Sequence, residues 1–154
     1  MKPNSFTKLY VHYVFSPKGR ESLLTEQIKE SVQKYIYGII VGKKCNPLAI
    51  NGTSDHLHIL TGLNPAVSVE SLVRDIKRSS SLYINKSRLF SHGFNWQEGY
   101  GAFTVGYREL DVVYKYILNQ KQHHERQNFK EEFTTILNEE GFKFDEKYLF
   151  DFYL

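Results

Sequence analysis

Pro47-Leu48-Ala49-Ile50-Asn51-Gly52-Thr53-Ser54-Asp55-His56-Leu57-His58-Ile59-Leu60 is the stretch from which the fold follows. Pro47 to Ile50 reads as a short strand. Asn51-Gly52 is a strong hairpin signal, and His56 to Leu60 reads as the returning strand. Side chains alternate across a strand, so Leu57 and Ile59 face a core while His56 and His58 share the other face. The chain therefore carries an antiparallel pair with two imidazoles side by side on it.

Working outward, Lys8 to Phe15 alternates Leu9, Val11, Tyr13 and Phe15 against Tyr10, His12 and Val14, a strand ended by Ser16-Pro17-Lys18-Gly19. Thr25 is placed as an N-cap. Ile28, Val32, Tyr35, Ile36, Ile39 and Ile40 then keep helical spacing up to Gly42. After the hairpin, Pro65 and Ser68 open a second helix with an apolar stripe of Val69, Leu72, Val73, Ile76 and Tyr83. Residues 85–100 are irregular, and Gly101 to Tyr107 is a fourth strand. Glu109 to about Gln127 reads as one helix and Phe129 to Glu140 as another. The aromatic, acidic tail from Phe142 to Leu154 is expected to dock or to pair with a partner. The order β-α-β-β-α-β predicts an α+β fold of the split βαβ, ferredoxin-like kind. Its four-stranded antiparallel sheet has helices on one face, followed by C-terminal helices.

The 154 residues suit a single domain, 1–154. Apolar residues make up 41% and charged residues 24%, an ordinary globular balance. The net charge of +3 is short of the strong basic bias of a protein that coats duplex DNA. Eleven Tyr and eleven Phe exceed what the core needs, leaving rings for base stacking or for a dimer interface. The lone Cys45 excludes an internal disulfide framework and fits a reducing cytoplasm. No stretch is apolar enough to span a membrane, and Met1-Lys2-Pro3-Asn4-Ser5 does not open a secretory signal. A cytoplasmic location is the expectation.

Two imidazoles at i and i+2 can share one metal ion, although the same pattern fits surface histidines on an open sheet face. Asp55 is a candidate to orient an imidazole from behind, and equally a turn residue. On the helix beyond, Tyr116 and Gln120 are i, i+4 neighbours. Gln120 offers a hard oxygen that suits Mg²⁺ or Mn²⁺. Tyr116 offers a phenol as nucleophile, although its place between Val113 and Ile117 also fits a core aromatic. Tyr114 lies on another side of that helix. His123 and His124 follow on the same helix. Arg74, Lys77 and Arg78, with Lys18 and Arg20 in the loop after the first strand, are candidates for phosphate contact, and equally an ordinary solvated basic face.

Taken together, these segments resemble the HUH-type single-tyrosine transposases of bacterial insertion sequences and the related REP-associated tyrosine transposases. The matching pieces are Tyr10 to Phe15 with Lys18 and Arg20, Asp55-His56-Leu57-His58, Ser71 to Lys77, Trp96 to Phe103, and Tyr116-Ile117-Leu118-Asn119-Gln120. They run in the family's order over residues 6–128, which leaves a C-terminal helix and tail at 129–154. The resemblance implies His56, His58 and Gln120 as ligands of Mg²⁺ or Mn²⁺ and Tyr116 as the nucleophile. It also implies a homodimer and single-stranded DNA with hairpin ends as substrate, cut and rejoined through a 5′-phosphotyrosine. Two further readings stand beside it. One is a non-catalytic, RRM-like module that binds single-stranded nucleic acid. The other is a domesticated transposase that processes chromosomal palindromes.

Overall fold

The computed structural model describes residues 4–19 and 24–152, so Arg20 lies outside the described residues. Strands β1 (Tyr10–Phe15), β2 (Asn46–Thr53), β3 (His56–Gly62) and β4 (Gly101–Val105) form one antiparallel sheet in the order β2-β3-β1-β4. Helix α1 (Glu26–Gly42) connects β1 to β2, and α2 (Val69–Lys86) connects β3 to β4. This is the split βαβ topology read from the sequence.

The side chains of Thr25 and Ser68 cap α1 and α2, accepting from the amides of Ile28 and Ser71. Both helices pack on the face of the sheet that carries Val11, Tyr13, Phe15, Leu57 and Ile59. Their apolar stripes, Ile28, Val32, Ile36 and Ile40 from α1 and Leu72, Val73, Ile76 and Ile84 from α2, complete the main core. The irregular segment before β4 closes one end of that core through Phe94 and Trp96, whose indole Nε1 donates to the buried Ser80 hydroxyl at 2.8 Å.

The opposite face of the sheet is covered as well. Helices α3 (Leu110–Leu118), α4 (Gln120–Arg126) and α5 (Phe129–Glu139) lie over it. Ile117 packs on Ala49 and Leu60, while Phe129, Phe133 and Leu137 pack with Val14 and Phe103. The tail docks onto α5: Phe150 lies 4.9 Å from the Phe133 ring and Phe152 lies 5.5 Å from the Phe129 ring, measured between centroids. Gln97 clasps the tail by donating to the Asp151 carbonyl at 2.8 Å and accepting from its amide at 2.7 Å.

Two local expectations change. The hairpin turn falls at Ser54-Asp55, because Asn51 and Gly52 belong to β2 and pair with His58 and Leu57. The strands approach so closely there that a Cβ on Gly52 would stand 2.1 Å from the His56 carbonyl oxygen. Glycine serves a close backbone approach in this strand, with no turn at that position. The helix expected over 109–127 is broken. A 3-10 turn at Tyr107–Glu109 precedes α3, and the backbone leaves helical geometry at Asn119 (φ −96°, ψ 23°) before α4 begins.

Candidate metal and nucleophile site

His56 and His58 stand on β3, on the sheet face away from α1 and α2, and neither is exposed. They are roofed by the C-terminal helices. The Phe129 ring lies flat on His56 at 4.2 Å, and the Tyr116 ring meets His58 edge-on at 5.7 Å. Burying two imidazoles requires partners for their nitrogens, and each has a dedicated one on the Nδ1 side. Asp55 Oδ1 accepts from His56 Nδ1 at 2.8 Å and is itself held by the Thr53 hydroxyl at 2.8 Å. His58 Nδ1 is paired with His12 Nε2 of β1 at 2.8 Å.

Burial and the neighbouring His58 push His12 down to about 3, so His12 is neutral. A single hydrogen lies between His12 Nε2 and His58 Nδ1. The other nitrogen of His58, Nε2, stands 3.5 Å from Glu132 Oε1. That nitrogen is buried and makes no hydrogen bond among the described residues. Burial also lowers the pKa of His58 itself. For His56, burial works in the same sense, but the Asp55 and Glu132 carboxylates outweigh it and raise its pKa to about 9. His56 is therefore an imidazolium at neutral pH, and its Nε2–H donates to Gln120 Oε1 at 2.8 Å and to Glu132 Oε1 at 3.0 Å.

Gln120, fully buried at the start of α4, and Tyr116, half-buried on α3, both reach this point. Gln120 Nε2 donates to Glu132 Oε2 at 3.0 Å, and the Tyr116 hydroxyl donates to the same oxygen. Burial and the Glu132 charge push the Tyr116 phenol well above its ordinary range. Burial would raise the Glu132 pKa, but the His56 imidazolium at 3.0 Å and the nearby His58 hold its carboxyl well below the usual carboxylate range. One ligand atom each from His56, His58 and Glu132 fall within 4.8 Å of one another. Two imidazole nitrogens and a carboxylate oxygen, one nitrogen lacking any other partner, form a donor set that fits a divalent cation.

The structure thus brings together His56, His58, Gln120, Tyr116 and Asp55. Tyr114 is exposed elsewhere on α3. The basic candidates lie apart, because α2 packs behind the sheet. Arg74 and Arg78 are exposed there and flank Asp75. The Lys77 ammonium donates to the carbonyls of Gln97 (2.8 Å) and Gly99, and burial lowers its pKa to about 8. Lys18 is exposed in the loop after β1, its amide bonded to the Asn95 carbonyl at 2.9 Å.

Sequence reasoning missed His12 and Glu132. Alternation had put His12 on the same face as Tyr10 and Val14, and pairing of Val14 with His58 and of His12 with Leu60 makes that the histidine face. The signal for Glu132 is an acid within an apolar stripe, flanked by Phe129, Phe133, Ile136 and Leu137.

The family described as "Transposase IS200 like" matches residues 5–120. The transposase for insertion sequence element IS200 of Salmonella typhimurium is 28% identical over 115 residues, covering 71% of this chain and 74% of the relative. Its Salmonella typhi counterpart matches to the same extent. Among solved structures, a protein described as a transposase from Deinococcus radiodurans superposes with a TM-score of 0.61 at 21% identity, covering 78% of this chain and 96% of that one. A REP-associated tyrosine transposase bound to a REP hairpin superposes with a TM-score of 0.60 at 14% identity, covering 80% of this chain and 73% of that one. These two structures share the fold.

Proposed function

The chain belongs to the IS200-like transposase family, and on that premise we propose that it cuts and rejoins single-stranded DNA with Tyr116 as the nucleophile. The observation that carries this reading is convergence. The Tyr116 hydroxyl, the Gln120 amide and the Nε2 side of both histidines meet at one buried carboxylate, Glu132.

His56, His58 and Gln120 would hold Mg²⁺ or Mn²⁺. When bound, such a cation polarises a non-bridging oxygen of the scissile phosphate and favours the phenolate. The protein's own part is positioning. Asp55 and His12 fix the two imidazoles from behind, so that both Nε2 atoms face the same point. Tyr116 and Gln120 are held on either side of a fixed break, which places phenol and amide in one cleft. The phenolic oxygen of Tyr116 bonds to phosphorus and loses its proton. The 3′-oxygen of the upstream nucleotide leaves and takes one up. A 5′-phosphotyrosine remains, and because phosphodiester energy is conserved in it, the reverse step needs no nucleotide cofactor.

A strand with an unpaired, flexible backbone suits a nucleophile set between a sheet and a roof of helices, and the REP hairpin bound by the structural relative supports a hairpin-ended DNA substrate. Lys18, Arg74 and Arg78 would meet phosphates away from the scissile one, as a hairpin stem requires, with Lys77 shaping the 97–99 loop. Arg20 is retained as a candidate on sequence grounds. The working unit is proposed to be a homodimer, to be read as twice the chain mass in light scattering. The RNA-module reading depends on an open sheet face for stacking bases, whereas here the second face carries α3, α4 and α5.

The test is direct. Single-stranded oligonucleotides from both flanks of the gene are incubated with the protein and Mn²⁺, and the digest is searched by mass spectrometry for DNA on Tyr116. An adduct at that residue is the expected result. An adduct on Tyr114 or another residue would overturn the assignment.

A further inference from the structure

The roof of the site comes from α5, beyond the residues 5–120 that the family shares, and it carries an acid. Glu132 is buried and divides its two oxygens between two tasks. Oε1 faces His56 Nε2 at 3.0 Å and His58 Nε2 at 3.5 Å. Oε2 accepts from Gln120 Nε2 at 3.0 Å and from the Tyr116 hydroxyl.

The neighbours on its own helix, Phe129 and Phe133, are apolar. A carboxylate placed among them is costly unless something positive or protic meets it. Most of its needs are met by His56, Gln120 and Tyr116. What remains is the His58 side, where a buried nitrogen without a hydrogen bond faces the carboxylate oxygen. At 3.5 Å the two atoms are too far apart for a good hydrogen bond, and with His56 Nε2 they lie close enough together to hold one ion.

We propose that Glu132 is a protein ligand of the divalent cation, through Oε1 beside His56 and His58, while Oε2 positions the Tyr116 phenol. This inference rests on the reading of His56 and His58 as a metal site. A carboxylate adds a hard, charged oxygen to two imidazoles, so the chain should bind Mn²⁺ firmly before any DNA arrives. The same side chain then sets the distance between ion and nucleophile.

The experiment is Mn²⁺ titration of the full chain without DNA, by calorimetry and by loss of the free-ion EPR signal. Wild type is compared with Glu132→Gln, Glu132→Leu and His58→Gln. Circular dichroism and the metal-free melting temperature report folding of each variant. The shape-conserving Gln change and the apolar Leu change stress the roof in opposite ways, so one serves if the other misfolds. Both Glu132 variants are expected to weaken Mn²⁺ about 10- to 100-fold, comparably to His58→Gln. Unchanged affinity in a folded Glu132 variant, with loss in His58→Gln, overturns Glu132 as a ligand and leaves the histidine site standing. Unchanged affinity in all variants places the ion elsewhere and overturns both. Failure of wild type to bind millimolar Mn²⁺ overturns the inference, since two imidazoles and a carboxylate need no DNA to hold an ion.

Discussion

Asn51 on β2 donates through Nδ2 to the carbonyls of both Ile117 and Leu118, at 2.9 and 3.1 Å. These are carbonyls at the end of α3, where the break at Asn119 removes their helical partners. One side chain of the sheet therefore sets where the tyrosine helix stops and where Gln120 begins. Asn51→Ala is expected to cost about 1–2 kcal/mol in denaturant unfolding. It is also expected to weaken Mn²⁺ binding severalfold, because Gln120 loses its register. Unchanged ion affinity would show that α4 is positioned without Asn51.

Tyr116→Phe removes the oxygen of the proposed nucleophile and one hydrogen bond to Glu132. Covalent DNA attachment should disappear, while binding of the same oligonucleotide by fluorescence anisotropy stays within about twofold. Stability should change by about 1 kcal/mol. A full level of adduct in this variant would remove Tyr116 from the chemistry.

His12→Phe keeps a ring beside Phe103 but takes away the hydrogen-bond partner of His58 Nδ1. His58 then loses the partner that fixes its tautomer. Mn²⁺ affinity is expected to fall about 10- to 100-fold. His12→Gln, whose amide can donate or accept, should recover part of it. Equal affinity in all three proteins would make His12 a packing residue alone.

The raised pKa of His56 gives a signed pH dependence. Its folded value is about 9 against an ordinary 6.5. The charged bonds to Asp55 and Glu132 therefore stabilise the metal-free protein fully below pH 6.5, and that contribution is lost as pH rises through 9. A cation at Nε2 must displace the proton, so apparent affinity should climb about tenfold per pH unit and level off above about 9. Calorimetry near pH 7.5 in buffers of different ionisation enthalpy should count about one proton released per ion. A count of zero would place the ion away from His56.

Gly52→Ala puts a methyl group where the His56 carbonyl oxygen already stands. The β2–β3 pair must spread at the position that aims both histidines. The expected loss is at least about 2 kcal/mol in thermal or denaturant unfolding. A variant as stable as wild type would mean that the strands separate freely there.

The topology was legible because β1, β3, α1 and α2 each carry one clean apolar face toward a shared core, and period alone identifies them. Asn51-Gly52 misled because a dipeptide that favours turns was needed for two tertiary reasons, the close approach at Gly52 and the reach of Asn51 to α3. Spacing alone ran one helix through Asn119, since no Pro or Gly marks the break. It is held by a strand far away in sequence. His56, His58, Gln120 and Tyr116 were readable as candidates because they fall at local spacings. Glu132 and His12 were not, because their partners lie 76 and 46 positions away in the chain, 132 − 56 = 76 in the first case.

Those separations bear on how the protein is made. The site's bonds join β1 to β3, β3 to α4 and β3 to α5, so the site is complete only when residue 132 has been made. Closing loops of such length is slow and comes late in folding. A nascent chain therefore presents its histidines, phenol and amide before the roof that buries them, and the site is closed from water only once α5 has been synthesised and has settled onto the sheet.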